Sequence, residues 1–87
     1  MIFCAYAVRD MKAEAFMLPF FVPTDGLALR SFTDAANDAQ TNMCKWPDDF
    51  ALFHIGSYDD GTGLLEALPA PRNMGLASQF KEVKSNG

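Results

Sequence analysis

The chain has 87 residues, enough for one small domain and too few for two. Hydrophobic residues make up 49% of it, which excludes a wholly disordered chain. Lys and Arg total 7 against 11 Asp and Glu, a net charge of −4. That excludes a protein that coats nucleic acid by bulk positive charge, though not one with a local basic patch.

In chain order, Ile2 to Val8 is apolar at every position, with Ile2, Cys4, Tyr6 and Val8 on one face and Phe3, Ala5 and Ala7 on the other. Such a run predicts a strand buried on both sides, ended by Arg9-Asp10. Asp10 to Met17 is short and rich in helix formers, and predicts a turn or one helical turn. Leu18 to Val22 lies between Pro19 and Pro23, which confines it to a sheet edge or an extended loop. Thr24-Asp25 reads as a helix N-cap. Leu29, Phe32 and Ala36, with Ala28 and Ala35 beside them, then make an apolar stripe on a helix over about residues 25–38.

A polar run follows, and Pro47-Asp48-Asp49 suits a brief helical turn. Phe50 to Tyr58 alternates as a strand, with Phe50, Leu52, His54 and Tyr58 on one face and Ala51, Phe53 and Ile55 on the other. Asp59-Asp60-Gly61-Thr62-Gly63 is a strong turn signal. Leu64 to Leu68 returns from it, giving a hairpin over 50–68 that Pro69-Ala70-Pro71 breaks. Met74 to Ala77 suits a last short strand, Ser78 to Phe80 a final turn, and residues 81–87 a frayed tail. The sum is a small single α+β domain over 1–80, a mostly antiparallel sheet with one main helix on one face.

Catalytic and metal-binding patterns are missing. The single histidine, His54, sits in a strand pattern with no nucleophile placed beside it, so it reads as structural or surface. Cys4, Cys44 and His54 lack zinc-ligand spacing. The 59–63 acids lack the alternation and closing Glu of a calcium loop, and Gly61 and Gly63 are not followed by a phosphate-binding Lys-Ser/Thr. No enzyme, metal or cofactor is expected. The N-terminus has no basic region before its apolar run, and no run is long enough to cross a bilayer. The expectation is a soluble cytosolic protein with reduced, inert thiols and no membrane partner.

Cations do lie beside aromatic residues. Arg9 and Lys12 flank the stretch holding Phe16, Phe20 and Phe21, Arg30 is on the helix, and Lys45 adjoins Trp46 in a polar loop. Single-stranded nucleic acid is bound by this combination, rings stacking on bases and cations tracking phosphates. Arg9, Lys12, Arg30, Lys45 and Trp46 are therefore the DNA-binding candidates. Core rings and solvated cations are the plainer reading of the same residues.

The blocks Val8-Arg9-Asp10-Met11-Lys12-Ala13-Glu14-Ala15-Phe16, Pro19-Phe20-Phe21, Gly26-Leu27-Ala28-Leu29-Arg30-Ser31-Phe32-Thr33-Asp34-Ala35-Ala36-Asn37, Pro47-Asp48-Asp49-Phe50 and Gly56-Ser57-Tyr58-Asp59-Asp60 occur in this order. Over residues 2–77 the sequence resembles the small non-structural protein of gokushoviruses, single-stranded DNA phages of the Microviridae. Ala51 and Phe53 depart from the polar or Tyr residues of that pattern. The resemblance implies a non-enzymatic, replication-associated protein of the host cell cytoplasm that promotes the switch to single-stranded genome synthesis. Its partner would be single-stranded DNA or the replication complex. The alternative is an acidic adaptor that binds the viral replication initiator or a host replication protein without touching DNA. Phe16, Phe20 and Phe21 would then form its interface, and a homodimer suits either role.

Overall fold

The protein is described over residues 1–82 by a computed structural model. Strand β1 (Ile2–Asp10) is central, and Ala5, Tyr6, Ala7 and Val8 are all buried, Tyr6 and Val8 in the core beneath the helix and the small Ala5 and Ala7 beside Phe21 and Phe53 of the neighbouring strands. One edge of β1 pairs with β4 (Phe50–Asp59), which pairs in turn with β5 (Leu64–Leu76), all antiparallel. The other edge takes two short strands, β2 (Ala15–Phe16) and β3 (Phe20–Val22). Helix α1 (Asp25–Asn37) lies on one face, and the short helix α2 (Asn42–Lys45) follows it. Single 3₁₀ turns close the chain at Pro47–Asp49 and Ala77–Phe80. The α+β reading is thus correct, and the main helix starts where expected, with the Thr24 hydroxyl accepting from Leu27 N–H.

The core lies between α1 and the sheet. Ala28, Phe32 and Ala36 of α1 meet Tyr6, Val8, Phe50 and Leu52, with Ala77 closing the end. Asn37 holds the C-terminal 3₁₀ turn to the helix, its Nδ2 donating to Phe80 O at 3.0 Å and its Oδ1 accepting from Glu82 N at 2.8 Å. Lys81 is also held, Nζ donating to Cys44 O at 3.2 Å. The rest of the expected tail lies outside the described residues.

Two irregularities decide which face each ring occupies. Arg9 pairs with Phe16 but Ala5 with Phe21, so the edge chain gains a residue around Leu18-Pro19. This bulge turns Phe20 onto the helix side, where it stacks on Tyr6 at 5.7 Å, and leaves Phe16 and Phe21 on the other. In the second irregularity, Ala5 pairs with Gly56 and Tyr6 with His54, leaving Ile55 unpaired. A one-residue bulge inverts the alternation beyond it. Tyr58, expected beside Leu52 and His54, therefore stands on the opposite face across from Phe3. Opposite Ile55, residues Leu68–Pro71 loop out of β5 between Ala67 and Arg72. Prolines 69 and 71 cannot donate to the ladder, so the expected break falls inside one long strand and not at its end.

Gly56 makes the second bulge possible. An added Cβ there would overlap the backbone oxygen of Glu66 on the neighbouring strand. Gly56→Ala is expected to cost about 1–3 kcal/mol, as overpacking does, and Gly61→Ala, which meets only the flexible Asp59 carboxylate, much less. Urea midpoints of the two variants check this; equal midpoints would contradict it.

Candidate nucleic-acid interface

The helix covers one face of the sheet. The other carries Phe3, Ala5, Ala7 and Arg9 from β1, Phe16 and Phe21 from the edge, Ala51, Phe53 and Tyr58 from β4, and Leu65 and Ala67 from β5. No helix lies over it, and Phe16 and Phe21 remain 41% and 42% exposed. Arg9 is the charged residue that the strand register places there. Its guanidinium carbon lies 5.3 Å from the centre of the Phe16 ring, within cation–π range. Phe16 in turn meets Phe53 edge-on at 5.4 Å. A second edge-on pair, Phe21 and Tyr58 at 5.8 Å, lies toward the hairpin tip.

The sequence candidates divide among three places. Arg9 and Phe16 are on the open face. Lys12 and Trp46 come together at the adjoining end of the molecule, around a 300 Å³ cavity shared with Asp10 and Asp49. Lys45 precedes Trp46 on α2, and Trp46 is 62% exposed, so it does not anchor its loop on the core. Arg30 is exposed on α1, in the opposite layer from Arg9. Phe20 packs on the core, so the three rings Phe16, Phe20 and Phe21 do not share one surface. Among the described residues, Arg9, Lys12, Arg30 and Lys45 have no ion-pair partner.

Phe53, Phe3 and Tyr58 belong to the open face and were not among the candidates. For Phe53 the signal was present: it alternates with core-facing Leu52, and a chain with one main helix has no second layer to cover it. For Tyr58 the bulge at Ile55 hides the signal.

On the covered face, His54 belongs to a polar cluster at the start of α1. The Tyr6 hydroxyl donates to Asp25 Oδ1, Arg72 donates to Asp25 Oδ2 at 2.9 Å, and Arg72 lies 3.2 Å from His54 Nδ1. His54 stacks on Tyr6 at 5.1 Å. This cluster fastens the helix N-terminus to β1, β4 and β5. The Tyr6 hydroxyl and Arg72 guanidinium hold the Asp25 carboxyl below the usual carboxylate range. Burial, and then its bond to Asp25, pushes the Tyr6 phenol up.

Residues 3–80 match the model of a family described as Phage ORF5 protein. The chain belongs to that family. No curated protein and no solved structure matches it. The Phage ORF5 match spans all of the strands but the first residue of β1, both helices and the open aromatic face, so fold and face belong to one matched unit. Among the described residues, this Phage ORF5 protein has no helix long and apolar enough to cross a membrane. Nor do they contain a group of three or more His, Cys, Asp or Glu residues suited to a metal ion.

The Asp25 cluster has a pH signature. A carboxyl held below its unfolded value of about 3.9 stabilises the fold fully above that value and loses the contribution as pH falls through the folded one. The stability difference between wild type and Asp25→Asn is therefore expected to be constant above about pH 5 and to shrink below about pH 4. Denaturation midpoints between pH 3 and pH 7 check it, and a difference that grows on acidification would contradict it.

Proposed function

We propose that this phage protein binds single-stranded DNA through the Arg9 half of its open sheet face, as the small non-structural protein of a gokushovirus-like microvirus. The observation that carries the reading is an unpaired Arg9 lying over a 41% exposed Phe16, which Phe53 props edge-on. The exposed part of the ring offers an apolar surface for an unpaired base, and the planar guanidinium over it adds a second stacking surface and a charge for the phosphate. Lys12, Lys45 and Trp46 at the adjoining end extend the track beyond the sheet. Duplex DNA presents no free base faces and is disfavoured by the same geometry. In the host cytoplasm such a protein would hold newly displaced viral single strands without catalysis, favouring single-stranded genome synthesis.

The acidic-adaptor reading draws on a different observation, the apolar hairpin half of the same face, which has no cation. It would make the viral initiator or a host replication protein the partner of that half.

Fluorescence anisotropy with labelled oligonucleotides tests the main reading. Single strands should bind in preference to duplex, and affinity should fall with salt at a slope of about −2 for three phosphate contacts. Arg9→Glu should weaken binding at least about tenfold, and Phe16→Ala should cost about 1–3 kcal/mol as a lost stacking platform. Arg30→Glu, in the other layer, should change affinity less than about twofold. No binding at low salt, or equal losses from the Arg9 and Arg30 variants, would overturn it.

A further inference from the structure

We propose that the hairpin half of the open face is an interface between two copies of this chain. There Phe3, Phe21, Tyr58 and Leu65 surround a groove of about 480 Å³, floored at one end by Gly63. Ala5, Ile55 and Ala67 continue it toward the middle of the sheet beside Pro19. Every side chain lining the first groove is apolar or aromatic, and Leu65 stands 67% exposed at its rim.

Charge argues against nucleic acid here. The ionisable groups next along the chain are Asp59, Asp60 and Glu66, with the Met1 ammonium 2.7 Å from Asp60 as their counter-charge. A phosphate backbone would meet more carboxylates than cations. Area fits a second copy held weakly. At about 200 Å² for a fully exposed large side chain, the exposed parts of these residues amount to roughly 400 Å². Two copies pairing these faces bury about 800 Å², below the roughly 1,200 Å² of a tight interface, so the dimer is a weak one that forms at high concentration. In the proposed dimer a two-fold axis would bring the exposed Leu65 of each copy against the groove of the other, the isologous arrangement that closes at two.

The shape fits as well. The molecule extends over 51 × 28 × 20 Å with a radius of gyration of 13.9 Å, against about 12 Å for a compact chain of this length. The sheet is longer than the 13-residue helix, which leaves the hairpin without a second layer of its own. The Arg9 patch lies four residues along β1 from the Ala5–Phe21 pairing, about 13 Å away. It stays clear of an interface centred on the groove.

Sedimentation of the full chain from about 10 to 300 µM, with Leu65→Glu and Leu18→Glu, tests this. Leu18 is 91% exposed and lies outside the groove. Wild type and Leu18→Glu should reach twice the monomer mass, and Leu65→Glu should raise the dissociation constant at least about tenfold with an unchanged circular dichroism spectrum. A wild type that stays monomeric throughout, or a Leu65→Glu variant that dimerises like wild type, would overturn the proposal. So would a monomeric wild type whose oligothymidine binding is lost in Leu65→Glu, which would assign the groove to nucleic acid. Loss of DNA binding in Arg9→Glu with the dimer intact separates this inference from the DNA-binding reading.

Discussion

A helix of 13 residues is about 20 Å long, and it has to cover a sheet whose central strands β1 and β4 have 9 and 10 residues and run to about 30 Å. That mismatch governs the molecule. The helix seals the half of one face that holds Tyr6, Val8, Phe50 and Leu52, and a core forms there. The opposite face and the hairpin tip stay without a layer. Leaving Phe16 and Phe21 about 40% exposed forgoes about 2 kcal/mol for each ring. That is a sizeable part of a total stability of about 5–15 kcal/mol for a domain.

What the helix does cover is fastened by polar contacts as well as by packing. Asp25 begins α1 and takes bonds from Tyr6 on β1 and Arg72 on β5, while Asn37 at the other end binds Phe80 O and Glu82 N. The helix is thereby fixed at both ends on one side of the sheet. The rings on the other side lie outside its reach.

Much of this was legible in the residues. Alternation and turn signals located β1, α1, β4 and the hairpin, because each has a regular period and a physical stop. The rings were harder to place, because their faces depend on two bulges. Nothing local distinguishes Phe16 from Phe20. It is the extra residue near Leu18-Pro19 that sends one outward and the other onto Tyr6. Likewise Ile55 reverses Tyr58 only because Gly56 lets Glu66 approach on the next strand. Grouping Arg30 with Arg9 failed for a related reason: the two lie on different layers, and layers are set by long-range pairing. The grouping of Lys12 with Trp46 was available only as proximity of each to other candidates, and the fold joins them through the Met11 N–H to Asp49 O bond of 2.8 Å.

Charge divides the open face into two territories. Its Arg9 end has an unpaired cation against a ring, with Lys12 beside Asp10 and Asp49 at the adjoining end, while its hairpin end has apolar walls without a cationic side chain, bordered by carboxylates. The central claim is that single-stranded DNA takes the first of these and leaves the second alone. Amide NMR of the labelled protein, titrated with a short oligothymidine, tests that residue by residue. The account predicts shift changes concentrated at Arg9, Phe16, Phe53 and Lys12 and at the Trp46 indole. Changes centred on Tyr58 and Leu65 or on the Arg30 side of the helix, or none at all, would contradict it.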